Sequence, residues 1–583
     1  MSGMRRPLAC LALLVLATCS LPPPGPIVNP ADLVLLGGRV HTLADGDLPA
    51  QALAVRGSKI VMIGSSAAVR TLIGPATRVV DLAGRPVYPG FADGHMHLSG
   101  YGNFLGVADL VGTTSETDAV ARAVGHAAGQ RAGAWIIGRG WDQNDWAVKE
   151  FPTHAKLSAA LPDQPAVLRR VDGHALLANK AAMDAAEIDA DVAAPEGGRI
   201  LRDANGAPTG VFVDNAMALI EASIPGESRE DVSDGVQRAI AALHGFGITS
   251  VHDMGVSMAT VEVYRSLALQ DAFDLRAHVF LSDDSPWIKR PASGLPTSDL
   301  TGQGLIAVRG IKSYADGALG SRGAALLADY SDEPGNRGLA VRPPEEIEDL
   351  ARHALRKGWQ LAVHAIGDRG NRTTLDAFEA ALDDVPEDQR PGHARDPRFR
   401  IEHAQVLSPQ DIPRFAKLGV IPAMQALHQT SDMPWAEDRV GPKRIRGAYA
   451  WRSLLETGVI LCGGSDCPVE RPDPIAAFHA AVTRRNEQLQ PLGGWYPQQV
   501  MTRGEALRHI TAWPAYASFN EDRLGTLDVG KLADLVVVSG DLLTLPEDLL
   551  PEQRIDLTIF DGRVVYERGI APREPTAAAA DAR

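Results

Sequence analysis

Cysteine is scarce in this chain: 583 residues hold four, Cys10, Cys19, Cys462 and Cys467. A fold stapled by many disulfides is therefore excluded, and one late pair, Cys462 with Cys467, is the most that oxidation can add. Excess basic charge is lacking too. Lys and Arg number 57 against 72 Asp and Glu, a net charge of −15, with no Lys/Arg-rich stretch. That balance argues against a nucleic-acid partner and reads as simple solubility. No apolar run long enough to cross a membrane follows the N-terminal one. Nucleotide fingerprints are missing as well. Gly367-Asp-Arg-Gly370 lacks the Walker spacing and its Lys-Ser/Thr, so it reads as a tight turn between strand and helix.

What is there begins with a targeting segment. Arg5 and Arg6 precede the apolar stretch Pro7 to Ala17, and Cys19 follows Thr18. Residues 1–19 read as a signal peptide that resembles a bacterial lipoprotein signal, although Thr18 departs from the small residues usual before the lipidated cysteine. Residues 20–30 form a stiff Pro-rich tether. The expectation is an exported protein, periplasmic or lipid-anchored to the membrane of the cell envelope through Cys19.

A 583-residue chain exceeds one ordinary core, and 45% hydrophobic with 22% charged residues suits a soluble enzyme. Both ends are rich in short strands punctuated by Gly and Asp. Residues 31–85 and 516–572 therefore read as two parts of one small β-sandwich, and 573–583 as a frayed tail. Between them, residues 86–515 alternate β-branched runs with helical stretches, an α/β pattern. Eight strands are expected: Val87 to His97, Ile248 to Asp253, Leu275 to Leu281, Leu305 to Lys312, Gln360 to His364, Arg400 to His403, Val420 to Met424 and Val459 to Asp466. Eight parallel strands make a (β/α)8 TIM-like barrel, whose chemistry collects at the carboxyl ends of the strands. Some 150 residues separate the first strand from the second, far beyond a normal crossover. An inserted subdomain at about 110–235 accounts for the excess, read as a lid over the barrel mouth, with a side-packed decoration as its bland alternative.

The chemistry starts at Gly90-Phe-Ala-Asp-Gly-His-Met-His-Leu98. Side chains at i and i+2 on a strand share a face, so His95 and His97 can grip one cation together. His-x-His alone is weak evidence. It gains weight because Lys312, His364, His403 and Asp466 each close a separate apolar run, as groups converging on one barrel mouth would.

These blocks, His95-x-His97, Ile311-Lys-Ser-Tyr-Ala-Asp-Gly317, Val363-His-Ala-Ile-Gly-Asp368, Ile401-Glu-His-Ala-Gln405 and Gly464-Ser-Asp-Cys-Pro468, resemble the amidohydrolase superfamily. They are most similar to its amidohydrolase-3 branch, which includes N-substituted formamide deformylases. The resemblance runs from about Asp32 to about Gly569 and says little about substrate. It implies one or two divalent metal ions, usually zinc, with His95, His97 and Asp466 on the first and His364 and His403 on the second. Lys312 would bridge them as a carbamate made with carbon dioxide, because a lysine ammonium is all donor and ligates nothing. Its bland alternative is a lysine paired with Asp316 or Asp466. The implied reaction is hydrolysis of a non-peptide C–N bond in a small amide, formamide or cyclic amide, by a metal-activated hydroxide with Asp466 as proton shuttle. A deaminase on the same scaffold and a non-catalytic binding protein are the alternatives.

Weaker candidates surround this set. Trp141, Asp142 and His174 shape the pocket if the insertion is a lid. Arg322 either clamps an anionic substrate group or stabilises its loop. His252 and Asp253 either face the site or cap the barrel. Glu470 and Arg471 sit in the loop after the last strand. Glu402 should face away from its neighbour His403 by alternation, which favours a structural role. Cys467 has no dedicated base and is not read as a nucleophile.

Overall fold

A computed structural model describes residues 29–44, 50–131, 133–171, 173–289, 296–392 and 395–569. The expected leader, Cys19, almost all of the tether and the tail lie outside the described residues.

Eight parallel strands, paired in chain order, form the central barrel: Phe91–Met96, Ile248–Val256, Arg276–Ser282, Ile306–Tyr314, Gln360–Ala365, Arg400–His403, Ile421–Met424 and Cys462–Gly463. They are buried almost end to end, as expected of strands covered on both faces. Helices on the outside carry the complementary pattern. In Pro344–Lys357, Ile347, Ala351, Ala354 and Leu355 make the buried stripe, Glu345 and Glu346 sit in the first turn, and Arg356 and Lys357 in the last. Gly358 ends that helix at φ 82°, a left-handed position that suits glycine.

Two boundaries differ from the sequence reading. The apolar run from Val87 divides at Gly90. Pro86–Pro89 pairs antiparallel with Leu535–Val538 of the outer sheet, and the barrel strand starts at Phe91. Hydrophobic periodicity marks burial but not which sheet supplies the neighbour. The last strand is only Cys462–Gly463, and Asp466 lies beyond it at φ 60°.

The first and last strands meet at a glycine seam instead of a ladder. A Cβ on Gly94 would fall 2.5 Å from the Gly463 carbonyl oxygen, and one on Gly464 would fall 2.5 Å from the His95 nitrogen. Across this seam the Asp466 N–H donates to the His95 carbonyl at 2.7 Å. The Ser465 backbone N–H and hydroxyl donate to Asp93 at 3.0 and 2.5 Å. The seam thus brings Asp466 to the strand that leads to His95 and His97.

Both termini build the sandwich. One sheet runs Lys59–Gly64, Ala52–Arg56, Leu33–Leu36, Arg78–Asp81, and the other Arg39–Val40, Pro86–Pro89, Leu535–Val538, Ile555–Phe560, Arg563–Glu567. Leu33, Leu35 and Val55 share one core with Leu535, Val537, Leu557 and Ile559. The insertion is a six-stranded sheet of its own, in the order Gly198–Arg202, Pro208–Asp214, Ala175–Ala178, Ala166–Arg170, Ile136–Trp141, Ala108–Asp109. Alternation gives it two apolar faces: Leu168, Leu177 and Val211 on one, Val167, Leu176 and Phe212 on the other. Arg131 ties it to Glu230 at 2.8 Å and to Asp231, in the first turn of the helix Arg229–Gly245.

Candidate metal centre

The strand ends deliver the six expected residues to one place. His95, His97, Lys312, His364, His403 and Asp466 all line a cavity of about 400 Å³ at the mouth of the barrel. Ligand atoms of His95, His403 and Asp466 lie within 4.8 Å of one another. Asp466 Oδ1 is 3.3 Å from His95 Nε2 and 3.2 Å from His97 Nε2. The rings of His364 and His403 are 4.5 Å apart, and those of His95 and His403 4.9 Å.

Three of the four imidazoles are each turned by a partner on Nδ1. His95 Nδ1 meets the Glu402 carboxylate at 2.5 Å, His97 Nδ1 the Met254 carbonyl at 3.0 Å, and His403 Nδ1 the Gln425 side-chain oxygen at 2.8 Å. Such partners take the Nδ1 hydrogen and leave Nε2 as the lone pair facing the cavity. His364 Nε2 stands 3.7 Å from Asp316 Oδ1, beyond hydrogen-bond distance, and has no hydrogen-bond partner among the described residues. Asp316 itself is fixed by the backbone N–H groups of Ala325, Ile366 and Gly367.

Burial then sets the charge states. It pushes His364 down to about 3 and His403 well below the usual histidine range, so both rings stay neutral and able to ligate. Burial alone would raise Asp466, but the close approach of the His95 and His97 rings outweighs it and holds the carboxyl well below the usual range. Lys312 is 1% exposed, and burial lowers its pKa. Its Nζ lies 3.5 Å from His95 Nε2 and 5.0 Å from the Tyr314 ring centroid, with no carboxylate in salt-bridge reach among the described residues. Asp316 is occupied by backbone donors, so the structure does not support its pairing with Lys312. Neutral imidazoles at His364 and His403, the ionised Asp466 carboxylate and the buried Lys312 amine, with His95 and His97 beside them, form a donor set that fits one or two divalent cations.

Two of the expected ligand positions use left-handed backbone. His403 has φ 71° with Ala404 at 42°, and Asp466 has φ 60°. Backbone strain of this kind costs about 1–3 kcal/mol and is found at functional sites. Glu402 has the structural role expected of it, paired with Arg400 and His95 and absent from the cavity lining. Arg400 and Glu402 are both fully buried and neither lines the cavity, which His403 does. Glu402 is anchored by Arg400 at 2.7 and 2.9 Å, and the Arg400 charge leads in holding its carboxyl down to about 2 against burial.

Other expectations need correction. None of the insertion's described residues lines the cavity, so the structure does not support reading it as a lid. Trp141 is 1% exposed inside the insertion's own core, its Nε1 donating to the Leu168 carbonyl at 2.7 Å. Asp142 caps a short turn and pairs with Arg170. His174 is exposed and hydrogen-bonded to Asp214 at 2.9 Å. Arg322 is engaged with Asp332 at 2.9 Å, a loop contact and not a substrate clamp. His252 faces Arg400 at 2.6 Å, while Asp253 accepts from the Leu98 N–H and the Tyr264 hydroxyl. Neither residue reaches the cavity. Arg471 pairs with Glu487 and Asp473. Cys462 and Cys467 are buried free thiols, and burial raises the Cys467 pKa. Glu470 does line the cavity.

Sequence reasoning missed Tyr314, Gln405, His428, Asp432 and Trp435, which complete the wall. His428 is the most polar omission. It sits on the helix Ala426–Asp432 after the seventh strand, its Nε2 3.8 Å from Asp466 Oδ2. The available signal was Gln425-Ala-Leu-His428 directly after a barrel strand.

A profile of the Amidohydrolase family matches residues 78–566. The chain belongs to that family. Among its relatives, YtcJ of Bacillus subtilis (strain 168) is 31% identical over 540 residues, covering 91% of this chain and 99% of that one. The N-substituted formamide deformylase of Arthrobacter pascens is 29% identical over 561 residues, 92% and 98% of the two chains. An uncharacterized metal-dependent hydrolase from Pyrococcus horikoshii OT3 superposes with a TM-score of 0.70 at 25% identity, over 88% of this chain and 99% of that one. This amidohydrolase is a metal-dependent hydrolase built on a TIM-like barrel.

Proposed function

We propose that the protein hydrolyses a non-peptide C–N bond in a small amide-type substrate, formamides first among them, with Asp466 moving the proton. The observation that carries this reading is the convergence of six ligand-type side chains on one cavity. The formamide preference rests on the near full-length likeness to an N-substituted formamide deformylase.

When bound, one or two divalent ions, zinc first among the candidates, lower the pKa of water to about 7 and polarise a carbonyl. His95, His97 and Asp466 would hold one ion, His364 and His403 a second, and Lys312, as a carbamate, would join them. The protein's own groups do the rest. Asp466 is ionised and faces the cavity, so it can take a proton from water and deliver it to the departing nitrogen. Leu319, Ile366, Trp435 and Val469 supply an apolar wall for the organic part of the substrate.

The test is metal analysis of the purified protein, then turnover of a panel of N-alkylformamides, N-acyl amines and cyclic imides. Release of an amine with one carboxylate, or ring opening of an imide, is expected. Ammonia without carboxylate would point to deamination instead. A metal-loaded protein inert to the whole panel would overturn the reading.

A further inference from the structure

Strands one, four, five, six and eight each lead to a residue of the ligand set. The seventh, Ile421–Met424, leads to none, yet it ends beside the site. The segment after it reaches the site in three steps. Gln425 turns His403 through its Nδ1 at 2.8 Å. Asp432 receives the Tyr449 hydroxyl at 2.5 Å and the Gln405 amide at 2.8 Å, which fixes the end of the short helix. Between them, His428 lies 5.9 Å from His403, ring on near-parallel ring, and lines the cavity.

His428 Nε2 is buried and has no hydrogen-bond partner among the described residues. Its nearest oppositely charged atom, Asp466 Oδ2, is 3.8 Å away, too far for a hydrogen bond. Buried polar atoms are nearly always satisfied, and one left open beside a reaction centre calls for a partner that arrives from outside. The neighbouring carboxylate favours the ring tautomer that carries hydrogen on Nε2, so the open atom is a donor. A polar substrate atom brought up to Asp466 comes within reach of both.

We propose that His428 is a further catalytic residue: its Nε2–H donates to a polar atom at the substrate's scissile group, next to Asp466, and is not a metal ligand. This rests on the hydrolase reading above. The occupant implied is a carbonyl-type oxygen or an amide nitrogen, an acceptor in at least its transition-state form.

The test compares the wild type with His428→Ala, His428→Asn and His428→Gln in the full, zinc-loaded chain. Three readouts are taken: zinc per chain, binding of acetohydroxamate by calorimetry, and kcat and KM on the best substrate of the panel. The expected result for His428→Ala is unchanged zinc content, hydroxamate binding weakened at least tenfold, and kcat reduced by about 10²–10³-fold with little change in KM. His428→Gln, whose amide nitrogen can approach the position of Nε2, should recover part of that loss, and His428→Asn less. Zinc lost in proportion to activity would make His428 a ligand and overturn the proposal. So would hydroxamate binding within about twofold of wild type. If the wild type binds hydroxamate but turns over no amide, the hydrolase reading fails while the binding arm still judges His428.

Discussion

Asp466 Oδ1 stands 3.2 Å from His97 Nε2, although one residue follows the last barrel strand and the other the first. The glycine seam brings them together, and the contact closes the ring of proposed ligands around the barrel.

Asp466→Asn should therefore fold normally and lose turnover. The amide is nearly isosteric but cannot accept and return a proton, so kcat should fall about 10²–10⁴-fold. Circular dichroism, zinc content and kcat measured on the same preparation check this. Near-normal turnover would remove Asp466 from the proton path.

Dialysis against a chelator should abolish activity, and zinc or manganese should restore it. The apo chain should also melt at a lower temperature, because the ion binds the folded site and not the unfolded chain. Lys312→Met should keep the fold, bind less metal per chain and lack the mass of one carbon dioxide that the wild type should show in native mass spectrometry.

Acid should destabilise the apo protein through its buried histidines. Unfolded, the His364 ring takes a proton near its ordinary 6.5, but folded only near about 3. Between those values the unfolded state binds more protons, so stability falls as pH falls, by about 1.4 kcal/mol per pH unit for one ring. His403 is displaced in the same direction. Asp316, raised by burial to about 7, acts in the opposite sense, and its contribution is lost as pH rises through that value. In urea titrations between pH 6.5 and 4, His364→Gln should show a shallower pH slope than wild type.

Trp141→Ala should separate packing from catalysis. The side chain fills the core of the insertion, so its loss should cost about 3–5 kcal/mol of that subdomain's stability. The folded fraction should keep wild-type kcat and KM, since the ring is away from the cavity lining. A changed KM would restore the lid.

Much of this was legible in one dimension. An apolar run that stops at a polar, ligand-type residue is a local pattern, and His364 and His403 each fall at the end of such a run. Asp466 was legible for the same reason, even though its strand proved to be two residues long. The structural role of Glu402 was legible too, since it pairs with Arg400 and His95 and stays out of the cavity lining. Trp141 and His174 were misplaced because polarity and aromaticity in an insertion say nothing about which way the insertion faces, and Arg322 because a loop arginine does not reveal along the chain which carboxylate it meets.

The order of residues determined the barrel, the two-ended sandwich and the set of ligand-type residues, because each depends on short-range periodicity and on side-chain chemistry. Only the tertiary structure decided which partners orient those groups. Glu402 on His95, Asp316 beside His364, Gln425 on His403 and the open nitrogen of His428 all arise from contacts between separate strand ends. Such contacts are set by how the barrel closes, a three-dimensional constraint with no local signature along the chain.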